Sequence, residues 1–424
     1  MSSKWITIKT LLLALLTLLV LPMSAQVDNE DLLDDKDSVQ DDTAAVVLTV
    51  HHNDSLSWPK NVQEGIDELL RGEMFNTSQV GLLIWDLDAD SAIYRYNDRQ
   101  LLRPASTMKV ITAITALDRL GGAHQFSTDL CYKGTIENNT LTGTIYCVGG
   151  FDPRFNSDDM RAFAESIHKM GVDTIRGKII ADKSMKDDKT YGEGWCWDDD
   201  NPVLSPLLAG RKEEFGERLQ RKLRQNGITV TGTCSNGSMP SGAHTLYIKR
   251  TPLLEVMRRQ LKRSDNLYSE AIFYQLAAEV AGRNTASARH GRQAVNAIIS
   301  KVGRRPSAYY IADGSGLSLY NYVSPELEVD FLRYAYRHPE IYDNMLPCLP
   351  IAGVDGTLSK RMRKGAAHEN VKAKTGTVTG VSSLAGYLTT ANGHRICFSI
   401  INMGIRHSSS GRNFQDKVCQ ALCK

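Results

Sequence analysis

The sequence predicts an α+β fold: a five-stranded antiparallel sheet flanked by helices, with a second α+β domain inserted into the middle of the chain. Two strand patterns lie near the start, at 79–87 and 92–96, and three lie near the end, at 371–377, 383–390 and 395–403. A sheet built from both chain ends leaves the middle free to carry an insertion. The length agrees, because 424 residues exceed what one compact core normally takes.

Turn signals define the elements of this sheet in order. A short turn at 88–90 separates the first two strands, and Asn-Gly at 392–393 is a strong hairpin signal between the last two. We expect a short helix over 64–70, before the first strand, and a final helix over 412–422.

The inserted domain is expected over 126–250, inside a first domain formed by 58–125 and 251–424. A hairpin over 127–148 and a strand over 178–182 are its clearest elements. The insertion therefore has strands of its own and is predicted to form a second α+β unit.

The N-terminus reads as a secretory signal peptide over residues 1–25. Lys4 and Lys9 supply a basic start, and residues 11–21 supply an apolar core that is short for a membrane span. An uncleaved anchor is the alternative. Residues 26–57 follow as an acidic, disordered tether with a net charge of −8. We predict an exported, periplasmic protein.

Eight cysteines in an exported chain allow disulfides. Cys131 and Cys147 flank the predicted hairpin turn nearly symmetrically, so a bond between them is one interpretation, and free buried thiols are the other. Cys419 and Cys423 lie four apart on the last helix, a poor geometry for a mutual bond. No metal site is predicted, since neither Cys-x-x-Cys nor His-Glu-x-x-His occurs. No nucleotide-binding loop, cofactor signature or nucleic-acid motif stands out either, so no cofactor or nucleic-acid partner is predicted.

The strongest chemical signal is Ser106, three residues before Lys109. Apolar residues within 110–117 predict a helix that begins near Pro104 and ends at a Gly-Gly pair, 121–122. Positions three apart on a helix are neighbours, so the Lys109 amine lies beside the Ser106 hydroxyl. A desolvated lysine can act as the base that activates a serine, and free N–H groups at a helix start can stabilise an oxyanion.

Ser-x-x-Lys alone is a weak motif, because it also occurs at Ser57 and Ser166. Two further motifs strengthen it: residues 264–266 read Ser-Asp-Asn, and residues 374–376 read Lys-Thr-Gly. They follow Ser106 in the order that these motifs take in penicillin-binding proteins and class A β-lactamases.

Together with residues 104–109, 313–318 and 372–377, these motifs resemble the class C low-molecular-mass penicillin-binding proteins. These are the D-alanyl-D-alanine carboxypeptidases and endopeptidases of the bacterial cell wall. The resemblance runs from about residue 58 to the C-terminus. It implies the penicillin-binding protein/β-lactamase-like transpeptidase fold, with the long insertion that separates this group from class A β-lactamases.

The resemblance also implies a role for each motif residue. Ser106 would attack the carbonyl between two terminal D-alanines, with Lys109 as its base. Backbone N–H groups of Ser106 and Thr377 would form the oxyanion hole. Ser264 would relay a proton to the leaving amine, and Asn266 would hydrogen-bond Lys109 and the substrate amide.

The Lys-Thr-Gly motif has two implied roles. Lys374 would add positive charge that keeps Lys109 neutral. With Thr375, Gly376 and Thr377 it would also bind the terminal carboxylate of the substrate. A β-lactam mimics the terminal dipeptide but leaves a product that stays in the site, so β-lactams are expected to inhibit.

Arg361 and Asp152 are candidates for a further part of the substrate site. An arginine and an aspartate would suit the carboxylate and amine of a diaminopimelate side chain. A surface salt bridge or a turn cap explains each residue as well.

Two other functions stay open. A β-lactamase on the same fold needs an extra base for deacylation, which a Glu-x-x-x-Asn pattern could supply. Glu340 and Asn344 match this pattern only superficially, because they follow far beyond Ser264 in the chain. A non-catalytic peptidoglycan-binding protein would not need every residue of the three motifs.

The expected partners are peptidoglycan stem peptides and cross-links, and the sequence is compatible with cleavage of either. The net charge of +8 over 55–424 suits an acidic substrate or plain solubility, and a peripheral membrane contact stays open.

Overall fold

The structure is a computed structural model that describes residues 55–424. The predicted signal peptide and most of the predicted tether lie outside the described residues. The strands of the described part are Gln79–Asp86 (β1), Ser91–Tyr96 (β2), Gln125–Glu137 (β3), Thr140–Gly149 (β4), Thr174–Arg176 (β5), Ile179–Asp182 (β6), Thr229–Val230 (β7), Cys234–Asn236 (β8), His244–Pro252 (β9), Lys372–Val378 (β10), Val381–Thr389 (β11) and Arg395–Met403 (β12). Its α-helices are Trp58–Leu69 (α1), Met108–Leu120 (α2), Ser157–His168 (α3), Phe215–Gln225 (α4), Leu253–Lys262 (α5), Asn266–Ala281 (α6), Ala288–Lys301 (α7), Pro325–Tyr336 (α8), Pro339–Met345 (α9) and Ser408–Leu422 (α10).

The first sheet has five antiparallel strands in the order β10-β11-β12-β1-β2. β1, from the start of the chain, pairs with β12, from its end, and Leu82 lies opposite Ile400. The five strands predicted from the sequence are confirmed, with bounds that differ by at most two residues. A sheet closed by both chain ends is therefore what the strand patterns had indicated.

Helices cover both faces of this sheet. On one face, α2 is buried from Met108 to Leu117 and packs against α6, which is buried over most of its surface. On the other face, α10 packs on β11, and the buried Gln415 side chain donates to Ser382 and Asn402. The short turn that precedes α2 contacts β10, which is an edge strand of this sheet. The start of α2 therefore lies beside an open strand edge.

A second sheet is formed entirely by residues 125–252. Its strands follow the order β7-β5-β4-β3-β9, with β6 beside β4 and β8 beside β6. The sheet and helices α3 and α4 enclose a separate apolar core that includes Phe163, Phe215 and Leu219. Gln125 pairs with Pro252, so the two ends of this segment lie side by side, as an insertion requires. We propose 126–250 as the bounds of the inserted domain.

The register of β3 and β4 separates the two cysteines of the predicted hairpin. Cys131 lies opposite Tyr146, and Cys147 lies opposite Leu130. Because the side chains of a strand alternate between faces, an offset of one residue places the two thiols on opposite faces of the sheet. All eight cysteines are free and six of them are buried, so of the two interpretations that the sequence left open, the structure contradicts the Cys131–Cys147 bond and supports free thiols. Within 55–424, no helix is both long and apolar enough to cross a membrane.

Candidate active site

Ser106 lies in a short 3-10 helix, Ala105–Thr107, that leads directly into α2. One turn later, Lys109 is completely buried, and its Nζ lies at hydrogen-bond distance from Ser106 Oγ, 2.8 Å. Ala105 has a φ of 48°, a left-handed conformation that costs energy for any residue with a Cβ. The chain therefore holds the serine at a strained turn with the lysine beneath it.

The Lys109 amine has three hydrogen-bond partners. Besides Ser106 they are Asn266 Oδ1, at 2.8 Å, and the backbone carbonyl of Ser315, at 2.7 Å. Both of these oxygens can only accept hydrogen bonds. A neutral amine has two hydrogens and one lone pair, so its hydrogens point to these carbonyls. The lone pair is then left facing the Ser106 hydroxyl, as a base for that hydroxyl requires.

Burial lowers the pKa of Lys109 from its ordinary value to about 8. Three carboxylates oppose this shift and raise the pKa: Asp313, Glu270 and Asp265. The sequence had suggested two causes of a low pKa, desolvation and the charge of Lys374, and the main cause in the structure is desolvation. A tenth of the amine is neutral about one pH unit below its pKa, so a usable base exists near neutral pH.

A second cluster forms around the other buried lysine. Lys374, on β10, donates to Ser264 Oγ at 2.8 Å and to the Thr375 carbonyl at 2.6 Å. Ser264 has a φ of 60°, and Asn266, two residues later, opens α6. This tight turn directs Ser264 to Lys374 and Asn266 to Lys109. The structure thus brings together all five residues that the sequence predicted as catalytic.

The turn between the two clusters is fixed by its central aspartate. Asp265 caps the first turn of α6, and it accepts hydrogen bonds from Arg211 at 2.8 Å and from Arg259 at 2.9 Å. Burial acts to raise the pKa of Asp265, but the two guanidinium groups outweigh it and hold that pKa below its ordinary value. Arg211 lies in the loop between β6 and α4, so the inserted region supports the turn that holds Ser264 and Asn266.

β10 approaches the serine so closely that Gly376 admits no side chain. A Cβ at this position would lie 2.7 Å from the Pro104 carbonyl oxygen and 2.9 Å from Ser106 N. Thr375 donates to the hydroxyl of Thr357 at 2.7 Å, and the next threonine, Thr377, is exposed. The predicted substrate-binding residues of β10 therefore border the Ser106 backbone, with one hydroxyl free.

The loop at 313–318, which the family resemblance includes without a stated role, contributes to the site through its backbone. Its glycines suggest a plain turn, yet the Ser315 carbonyl accepts a hydrogen bond from Lys109 Nζ. Asp313 shapes the loop by accepting hydrogen bonds from Trp195 Nε1 at 2.8 Å and Ser318 N at 2.7 Å. A backbone carbonyl carries no signature in a sequence, so only its position in space reveals this contact.

The structure does not bring Arg361 and Asp152 into the cluster. The Arg361 guanidinium is bound by Asp416 at 2.6 Å and by Gln415 at 3.1 Å, both on α10. Asp152 is buried and accepts hydrogen bonds from the Thr251 hydroxyl at 2.5 Å and from Arg154 N at 2.9 Å. Both charged groups are occupied by partners within the fold, which is the structural explanation that the sequence had left open.

The pair considered as a second base also lies elsewhere. Glu340 and Asn344 are on α9, where the Asn344 amide donates to the Glu340 carbonyl at 2.7 Å. The Asn344 amide is therefore engaged within its own helix.

Comparisons with known proteins agree with this geometry. The profile of the D-Ala-D-Ala carboxypeptidase 3 (S13) family matches residues 62–211 and 207–424. D-alanyl-D-alanine carboxypeptidase DacB of Haemophilus influenzae is 27% identical over 407 residues, 76% of this chain and 84% of that protein. A D-alanyl-D-alanine carboxypeptidase of Actinomadura is 26% identical and covers 81% of both chains.

Solved structures give the same result. Penicillin-binding protein 4 of Haemophilus influenzae, in a crystal structure complexed with a β-lactam, superposes with a TM-score of 0.71 and 25% identity. The match covers 85% of this chain and 99% of that one. The family profile spans nearly all described residues and includes every catalytic motif, so the chain belongs to the D-Ala-D-Ala carboxypeptidase 3 (S13) family.

Proposed function

We propose that this enzyme cleaves D-alanyl-D-alanine peptides of peptidoglycan through an acyl-enzyme on Ser106, and that β-lactams acylate the same serine. The observation that carries the proposal is the hydrogen-bond pattern of Lys109. Its two carbonyl acceptors orient the lone pair of the neutral amine toward Ser106 Oγ, 2.8 Å away.

Acylation begins when Lys109 takes the proton of Ser106. The serine oxygen bonds to the carbonyl carbon of the penultimate D-alanine, and the oxyanion accepts hydrogen bonds from the N–H groups of Ser106 and Thr377. Gly376 supports this role, because it lets β10 approach Ser106 N closely. Loss of one oxyanion donor typically costs about 100- to 1,000-fold in rate.

Collapse of this intermediate breaks the amide C–N bond. Ser264 gives its proton to the leaving nitrogen, and the proton that Lys109 took up replaces it. The terminal D-alanine leaves with a protonated nitrogen. Its carboxylate is held by the buried Lys374 with the hydroxyls of Thr375 and Thr377, while Asn266 orients the substrate amide.

Water completes the reaction by attacking the ester, with Lys109 again as base. A β-lactam is attacked in the same way, but its leaving nitrogen stays tethered to the acyl group and blocks the approach of water. Cleavage of a stem peptide and of a cross-link break the same type of bond, so the proposed substrates include both. We infer export to the periplasm from residues 1–25, since peptidoglycan lies outside the cytoplasmic membrane.

The test is the intact-protein mass after incubation with penicillin. Wild type is expected to gain one adduct, and Ser106→Ala none. Ser166→Ala is the matched control, because Ser166 belongs to another Ser-x-x-Lys sequence but donates to the Ala162 carbonyl within α3. No adduct and no β-lactam turnover would refute the proposal in favour of a non-catalytic binding protein.

Two further substrates refine the result. Fast hydrolysis of nitrocefin would indicate a β-lactamase instead. A D-Ala-D-Ala pentapeptide and a cross-linked dimer, compared at equal enzyme concentration, separate carboxypeptidase from endopeptidase activity.

A further inference from the structure

A fully buried glutamate lies directly behind the catalytic lysine. Glu270 is on α6, one helical turn after Asn266, and its side chain is out of contact with solvent. Its Oε1 accepts hydrogen bonds from Ser315 N at 2.8 Å and Gly314 N at 3.1 Å. A buried carboxyl is costly unless such bonds satisfy it, so the two N–H groups of this loop stabilise Glu270 in its buried position.

The peptide that Glu270 binds is the one that Lys109 uses. Glu270 holds the N–H of Ser315, and the carbonyl of the same residue accepts from Lys109 Nζ at 2.7 Å. The preceding carbonyl, of Gly314, accepts hydrogen bonds from Ser269 on α6 and Thr112 on α2, both at 2.7 Å. The Gly314–Ser315 segment is therefore fixed from both sides, with one carbonyl directed to the amine.

Glu270 and Lys109 also affect each other's pKa. Burial raises the pKa of Glu270 to about 8, with Asp313 acting in the same direction, while its two N–H bonds and Lys109 oppose the rise. In turn, the negative charges of Asp313, Glu270 and Asp265 raise the pKa of Lys109. Tyr274, one turn further along α6, also has its pKa raised, chiefly by burial and next by Glu270.

We propose that Glu270 is a positioning residue for catalysis, which clamps the Gly314–Ser315 segment so that the Ser315 carbonyl orients the Lys109 amine toward Ser106. The inference rests on the proposed function. The clamp acts through hydrogen bonds that an amide oxygen can also accept. The clamp therefore does not require Glu270 to be ionised.

The test compares Glu270→Ala with Glu270→Gln in the rate of acylation by a fluorescent penicillin. Alanine removes the acceptor and frees the Ser315 carbonyl, so acylation is expected to fall about 100-fold, the cost of misplacing a reacting group by about 1 Å. Glutamine keeps an acceptor oxygen and is expected to restore most of the rate. Because a pKa of about 8 leaves the Glu270 carboxyl largely protonated below pH 8, glutamine resembles its neutral form and is also expected to leave the acidic limb of the pH–rate profile at its wild-type position.

Asp182→Asn is the matched control. Asp182 is a buried carboxylate that accepts two backbone N–H bonds, from Ser184 and Met239, but it lies on β6 in the second sheet. Its asparagine variant is expected to acylate like wild type at any pH. If Glu270→Ala does not fold, Ser269→Ala removes one of the two hydrogen bonds to the Gly314 carbonyl of the same segment and is expected to slow acylation without shifting the limb.

The outcomes distinguish the two proposals. Absence of acylation in wild type refutes the proposed function. Normal acylation of wild type and of a folded Glu270→Ala variant overturns the role of Glu270. Equal losses in the alanine and glutamine variants also overturn it, because a merely structural role predicts no rescue by glutamine.

Discussion

Gly376→Ala is the substitution whose effect follows most directly from the geometry. The added Cβ would lie 2.7 Å from the Pro104 carbonyl oxygen, 2.9 Å from Ser106 N and closer still to Ser383 Oγ. Real Cβ atoms keep at least 3.0 Å from such neighbours, so the backbone around Ser106 moves by tenths of an ångström and the Ser383 hydroxyl by more. Ser383 Oγ donates a hydrogen bond to the Pro104 carbonyl at 2.6 Å, so movement of this hydroxyl also displaces the chain that leads to Ser106.

The displaced group includes the proposed oxyanion donor of Ser106. Acylation is therefore expected to fall about 100-fold, in the range for loss of one such donor or for a misplacement of about 1 Å. Overpacking at a buried site typically costs about 1–3 kcal/mol, so the free energy of unfolding is expected to fall by that amount, and the protein still folds.

The assay is the second-order rate of labelling by a fluorescent penicillin, with thermal unfolding measured in parallel. Gly376→Ala combined with Ser383→Ala removes the closest contact and is expected to recover part of the rate. Gly237→Ala is the control, since a Cβ there would meet only an Ile180 methyl group at 3.1 Å. A folded Gly376→Ala protein that is labelled at the wild-type rate would refute the reasoning.

Two further predictions concern charge. Because Lys109 must be neutral to act as base and its pKa is about 8, acylation is expected to rise with pH and reach at pH 7 about a tenth of its plateau; a flat profile from pH 6 to 9 would contradict this. Arg211→Ala removes one of two guanidinium groups from the buried Asp265, so acylation is expected to slow and denaturant unfolding to show a loss of about 1 kcal/mol. The exposed pair of Arg161 and Asp158 supplies the control: equal losses in Arg161→Ala would contradict the role of Arg211.

The sequence by itself determined the framework of this protein. Apolar runs bounded by turn signals located the five strands of the first sheet, and β11 and β12 are buried along nearly their whole length because helices cover both faces. The helical spacing of Ser106 and Lys109 likewise requires only local geometry. The three motifs follow in an order that specifies the family, and the structure brings their catalytic residues together.

Tertiary structure decided what depends on partners distant in the chain. The pairing of Cys131 with Tyr146 depends on strand register, which a count of residues around a turn leaves undetermined to within one position. The partners of Arg361 and Asp152 lie on elements that only folding brings near, so their charges alone suggested a substrate site that the fold does not assemble. The Ser315 carbonyl and Glu270 are the converse case. A backbone oxygen exists at every residue, and a buried carboxyl is distinguished from a solvated one only when the surrounding chain has excluded water.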